Sequence, residues 1–273
     1  MPNHVTNLLT ISGSEELVAK IRSEISSTHD DGSPRPIDFN KIANLPKELK
    51  NTTSPSRIIS QEEYDTQEAR IAAGDLTDAE KSFGISRGIT KEMSKEFIEK
   101  YGTDNWYNWQ VNAWGTKWNA YEQDDKENGV IKFQTAWSTP VNIIRLLSLK
   151  YPEAEFNVRF ADEDFGHNVG EYTFKNGEEV YEDVPEGGSI EAYMMAADVQ
   201  NDWDYIVARI EEIDEEEFKE KWAKMYVRVA YERALFGDYQ KFVWDYLQAI
   251  AVEEENYELA QKIKEYLEQR INA

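Results

Sequence analysis

Apolar residues recur along this chain with two periods, and the switches between them outline its elements. In HVTNLLTISG, Val5, Leu9 and Ile11 alternate on one side and share it with Asn7, and Gly13 closes the segment, which predicts a strand. Ser14 caps a helix with Glu15 and Glu16 in its first turn, although Leu17 leaves the capping box incomplete. Leu17, Val18, Ile21 and Ile25 form that helix's apolar stripe. Residues 26–60 are rich in Ser, Thr, Asn, Asp and Pro and read as an inserted loop, anchored to the core by Phe39, Ile42 and Leu45. Residues 61–101 follow a polar helical pattern. Thr77 and Glu80 form a capping-box pair there, and Thr90 caps a helix that ends at Gly102.

The stretch WYNWQVNAWGTKWNAY holds four tryptophans and changes period within itself. Trp106, Trp109 and Ala113 share a helical face, and Gly115 breaks the helix. Trp118, Ala120 and Glu122 then alternate against Lys117, Asn119 and Tyr121, as in a strand. Asn128-Gly129 signals a hairpin turn. The partner strand places Ile131, Phe133, Thr135 and Trp137 on one side and Lys132 and Gln134 on the other. Thr139-Pro140 opens a helix with proline at its first position, a stripe of Ile143, Ile144, Leu147 and Tyr151, and a stop at Pro152. A meander follows: Phe156, Val158 and Phe160, then Tyr172 and Phe174, a turn at Asn176-Gly177, and the short strand EEVYEDV. From Ser189 the pattern is helical, with stripes at Phe218, Trp222, Met225 and Val229; at Tyr239, Val243, Tyr246 and Ile250; and at Leu259, Ile263 and Leu267. Connections are expected at Gly237-Asp238 and at residues 253–255.

With the insertion set aside, the order is βαββαβ, the split βαβ or ferredoxin-like arrangement of an α+β protein. Two more strands and an all-α extension follow. The expected domains are residues 1–187, interrupted at about 26–102 by a mostly helical insertion, and an acidic helical region at 188–273. Each strand has one apolar face, as when both helices cover one side of an antiparallel sheet. Trp106, Trp109, Trp114, Trp118 and Trp137 are expected to mark the core, since each indole buries a large area. The opposite face would be polar, somewhat basic and open, making Lys117, Asn119, Tyr121, Lys132 and Arg159 the candidate binding residues.

Composition narrows the chemistry. Lys and Arg total 30 and Asp and Glu 53, a formal charge of −23. Nucleic acid is a poor partner for such a surface, because binding it relies on lysine and arginine displacing counterions. The charge fits a self-repelling, soluble surface, or more sharply one that imitates a nucleic-acid backbone. There is no cysteine, hence no disulfide framework or thiolate metal site. The start Met1-Pro2-Asn3-His4 lacks the regions of a secretory signal, and no apolar run is long enough to cross a membrane, so the cytoplasm is the expected compartment.

The blocks MPNHVTNLLTISG, WGTKWNAY and FQTAWSTPVNIIRLLSLKYPEAEF, with the meander after them, resemble the YubB-type ferredoxin-like family carried by bacterial plasmids, phages and related mobile elements. The resemblance covers roughly residues 1–15 and 104–182. It implies the ferredoxin-like fold independently of periodicity, and it implies no catalytic residues.

Motifs of catalysis are weak by comparison. Gly84-Ile85-Ser86-Arg87-Gly88 has the nucleophile-elbow spacing, but a charged helical segment precedes it where a hydrophobic strand is required. His4, His29 and His167 are dispersed, and Asp162, Glu163 and Asp164 lack calcium-loop spacing. No cofactor and no metal are expected. The leading expectation is a non-enzymatic accessory protein of a mobile element that contacts an unidentified protein through its acidic surface. The alternatives are a nucleic-acid module on the open sheet face and an enzyme without a recognisable motif.

Overall fold

The computed structural model describes residues 2–126, 129–218, 222–223, 241–253 and 256–271. Two compact units divide the chain, one of Met1–Glu163 with Glu171–Asp183 and one of Asp164–Gly170 with Val184–Ala273.

The first unit opens with β1 (His4–Ser12) and α1 (Glu15–Ile25). Ser14 caps α1, its Oγ accepting the Leu17 N–H at 3.3 Å. The insertion contributes α2 (Gln61–Ala72), α3 (Asp78–Phe83) and α4 (Lys91–Tyr101), and α5 (Trp106–Trp114) follows it. Thr77 and Glu80 form the expected reciprocal cap on α3, and Ser60 with Glu63 forms a second one on α2 that the sequence pattern had not indicated. Next come β2 (Tyr121–Asp125), β3 (Ile131–Ala136), α6 (Val141–Lys150), β4 (Glu155–Asp162), β5 (Val169–Lys175) and β6 (Glu178–Asp183).

The six strands form one antiparallel sheet in the order β2-β3-β1-β4-β5-β6. Its first four strands, with α1 and α6, are the ferredoxin-like arrangement; β5 and β6 extend one edge. Register follows the apolar alternation. Leu9 lies opposite Ile131 on one side and Val158 on the other, and Ile11 opposite Phe156. Those residues, Ile21 and Ile25 of α1, and Ile143, Ile144 and Leu147 of α6 make one core on a single face of the sheet. Phe39 reaches the same core from the insertion, with Ile42 and Leu45 packed against it.

Several boundaries differ from the sequence pattern. The strand expected from Lys117 begins only at Tyr121, because the chain bends at residues 115–118 and residues 119–120 join no ladder. Pro140 caps α6 and is not its first residue. A bulge between Thr173 and Phe174 buries both, so alternation fails in β5.

The second unit contains α7 (Ile190–Gln200), α8 (Trp203–Glu212), α9 (Lys241–Glu253) and α10 (Tyr257–Ile271). Phe165 stacks on Tyr205 at 3.9 Å between ring centroids, and Trp222 packs against Tyr193. In α9 the buried residues are Val243, Trp244, Leu247 and Ala251, a stripe rotated from the expected Val243, Tyr246 and Ile250. Leu259 and Ile263 are buried in α10 as expected. Met225, Val229, the Gly237-Asp238 connection, Tyr239, Asn128 and Glu254-Glu255 lie outside the described residues, as does the Leu267 side chain.

Candidate functional site

The tryptophans divide between core and surface. Asn105 starts α5 by accepting the Asn108 N–H at 2.9 Å, and Gly115 ends it in the left-handed region at φ 82°. Trp114 is fully buried, edge-on to Phe39 and Trp109, with its Nε1–H donated to Ala43 O at 2.8 Å. Trp109 packs against the core from its margin, and Trp106 is half-buried. Trp118 and Trp137 do not join the core, contrary to expectation: they are 37% and 44% exposed. Trp118 falls in the turn before β2. Trp137 follows β3 with φ 69°, an uncommon conformation for a bulky residue, which breaks the alternation that would have pointed its indole inward. Lys117 stands between them, its Nζ 4.7 Å from the Trp118 ring centroid and 4.8 Å from that of Trp137.

The five candidates for an open sheet face do not act as one set. Lys117 and Asn119 precede β2. Asn119 serves as a clamp: its Oδ1 accepts the N–H groups of Phe39 and Ala120, both at 2.9 Å, and its Nδ2 donates to Asp38 Oδ1 at 2.7 Å. Asp38 also accepts from Ser27 Oγ and the Asn40 N–H. Burial works against the Asp38 carboxylate. Hydrogen bonds from Asn119, Ser27 and the Asn40 N–H, with the Arg35 charge, outweigh it and hold the carboxyl below the usual range. Tyr121 does reach the sheet face, its hydroxyl 2.7 Å from His4 Nδ1 and 3.2 Å from Thr135 O. Burial, with repulsion from Glu122 and Glu163, pushes its phenol up to about 12. Lys132 and Arg159 are half-exposed on the same face, and Arg159 lies 3.7 Å from Glu171.

Two surface features stand out from this background. The first is a groove of about 600 Å³ walled by Trp106 and Trp118. The insertion supplies Leu45, residues 50–54 and residues 84–86; α5 supplies Gln110. Ser86, centre of the elbow-like motif, lies in this wall on an irregular loop after α3, and no histidine lines the groove among the described residues. The element before this loop is α3 and not the strand that an elbow requires. The groove is assembled from segments some 70 residues apart, which no local motif announces. The second feature is β6. All six of its residues are exposed, Val180 at 54% and Tyr181 at 50%, and four are acidic: Glu178, Glu179, Glu182 and Asp183. It is the edge of the sheet.

Among the described residues no group of three or more His, Cys, Asp or Glu is placed to hold a metal ion, and no helix is long and apolar enough to cross a membrane. Asp162 is buried and accepts a hydrogen bond from Asn3 at 2.9 Å.

The class that the sheet order and the covering helices define, an α+β ferredoxin-like domain, agrees with a family-model match. Residues 113–217 match a model described as the ferredoxin-like domain in Api92-like protein. Among solved structures, a crystal structure of protein api92 from Yersinia pseudotuberculosis is similar at 10% identity and a TM-score of 0.34, covering 70% of this chain and 100% of that one. A search of curated proteins produced no match.

Proposed function

We propose that this chain is a non-enzymatic interaction protein that docks a basic segment of a protein partner along β6. The observation that carries the reading is an edge strand exposed on both faces, with apolar Val180 and Tyr181 set among four carboxylates. An edge strand offers unpaired backbone groups to an incoming strand, and its side chains choose the partner. Here the carboxylates repel a second copy of this chain and any polyanion, and favour lysine- or arginine-rich sequence; the total charge of −23 steers in the same direction. The resemblance to YubB-type proteins supports a setting in bacterial plasmids or phages, where such an accessory protein would work in the cytoplasm on a host or element-encoded factor.

The alternative of nucleic-acid binding on the sheet face draws less support. Arg159 lies beside Glu171, whose carboxylate offsets its charge, so the face offers less net positive charge to a backbone of phosphates.

Affinity capture from a bacterial lysate, run in parallel with the parent chain, Val180→Pro, and Glu179→Lys with Glu182→Lys, tests the docking. The reading expects a retained protein that is lost in both variants and lost as salt is raised. Retention indifferent to the edge substitutions and to salt would overturn it.

A further inference from the structure

The groove beside Trp118 has a chemistry unlike the rest of this acidic chain. Asp and Glu number 53 of 273 residues, yet no carboxylate is among its described lining residues. Around the two indoles stand Lys50, Asn51, Ser54 and Ser86, whose side chains have no hydrogen bond or ion pair with other described residues. Gln110 is nine-tenths buried in the wall, and its Oε1 has no hydrogen-bond partner among the described residues.

Both indoles are held in place by the protein alone. Lys117 lies over Trp118, and Tyr121 meets the same ring edge-on at 6.2 Å. Trp106 begins α5 with its backbone N–H donated to Thr52 Oγ1 at 3.0 Å, and its ring is edge-on to Tyr107 at 5.8 Å. Preorganised aromatic walls with uncommitted polar groups at their rim are what a small-ligand site requires.

We propose that this groove binds a neutral sugar ring of a glycan. An indole presents a flat apolar face to the C–H face of a pyranose. Hydroxyls around the sugar's rim need donors and acceptors together, and the serines, the amides of Asn51 and Gln110 and the Lys50 ammonium supply both. Charge separates this ligand from a nucleotide: a single lysine lines the groove, while the charge of the whole chain opposes an anion. A neutral saccharide meets no such opposition. This site shares no residue with β6, so the two readings stand or fall separately.

The test uses the full chain with ¹⁵N-labelled indoles and three probes, maltotriose, cellotriose and chitotriose. Indole resonances are assigned by Trp→Phe replacements. At least one sugar is expected to shift the Trp106 and Trp118 resonances with a Kd of about 1 mM. That binding should weaken about tenfold or more in Trp118→Ala and in Ser86→Phe, which obstructs the groove from an exposed loop and should leave the thermal midpoint unchanged. No shift with any of the three, or a shift that survives Ser86→Phe, would overturn the site. Adenosine or uridine moving the same indoles where the sugars do not would overturn the saccharide assignment in favour of a nucleobase.

Discussion

Asn119 shows how much one side chain can hold. Its amide joins the turn before β2 to the 3-10 turn at Phe39–Lys41, using both oxygen and nitrogen. Replacement by alanine leaves the Phe39 N–H and the Asp38 carboxylate short of a partner where both residues are buried. Asn119→Ala is therefore expected to destabilise the chain by about 2–3 kcal/mol. Urea unfolding with an unchanged m-value would show it as a lower midpoint; a change under about 0.5 kcal/mol would mean the clamp contributes little. Asp38 carries the pH dependence of the same junction. Its folded pKa is depressed, so its contribution is fully present above the ordinary aspartate value of about 3.9 and disappears as pH falls through the lower folded value. Stability measured from pH 6 down to pH 3 should thus fall less steeply in Asp38→Asn than in the parent, from a lower starting level. Identical slopes would rule out this linkage. Trp137 is a second residue of consequence. Its left-handed φ leaves its indole partly exposed, with the Lys117 ammonium over it and over Trp118, where the pattern predicts core.

At the scale of elements, the strands and their covering helices do different work. β1, β3 and β4 are committed to the core through Leu9, Ile131, Phe133, Phe156 and Val158. β6 makes no such commitment, since every residue in it is exposed. A long exposed edge invites pairing between copies, and native proteins blunt it with charge or a bulge. Both devices occur here: the β5–β6 ladder slips at Thr173/Phe174, and four of the six β6 residues are acidic. Removing the charge should expose the liability. Glu179→Val combined with Glu182→Val is expected to self-associate at concentrations where the parent sediments as one species, read by analytical ultracentrifugation. Sedimentation equal to the parent's would show that the carboxylates do not guard this edge. The insertion, for its part, is organised by caps and polar links. Arg70 grips Glu80 through both carboxylate oxygens, holding that carboxyl down to about 2, while Arg87 grips Glu68 in the same way.

For the whole molecule, charge is the governing quantity. A chain at −23 repels itself in its compact form, and dissolved salt screens that repulsion. Raising sodium chloride from about 10 mM to about 500 mM should raise the thermal midpoint by several degrees. A flat or falling midpoint would mean that attractive pairs such as Arg70–Glu80 and Arg87–Glu68 dominate the balance. The same screening should weaken capture of a basic partner, so stability and binding are expected to respond to salt in opposite directions.

The order of strands and helices, the caps at Ser14, Thr77 and Thr90, the turn at Asn176-Gly177 and the core residues of β1, α6 and β4 could all be read from the chain, because each depends on period and on neighbours a few positions away. From those alone the ferredoxin-like order followed. The surfaces could not be read that way. Trp118 and Trp137 left the core because a bend and a left-handed residue interrupted the alternation, and Asn119 became a clamp because residues 38 and 39, about 80 positions earlier, fold back onto it. The groove needs Trp106, Trp118, Ser86 and residues 50–54 to meet, and only the packing of the insertion against the turn after α5 brings them together. Local sequence sets backbone period and burial; which distant side chains share a surface is decided when the chain closes on itself.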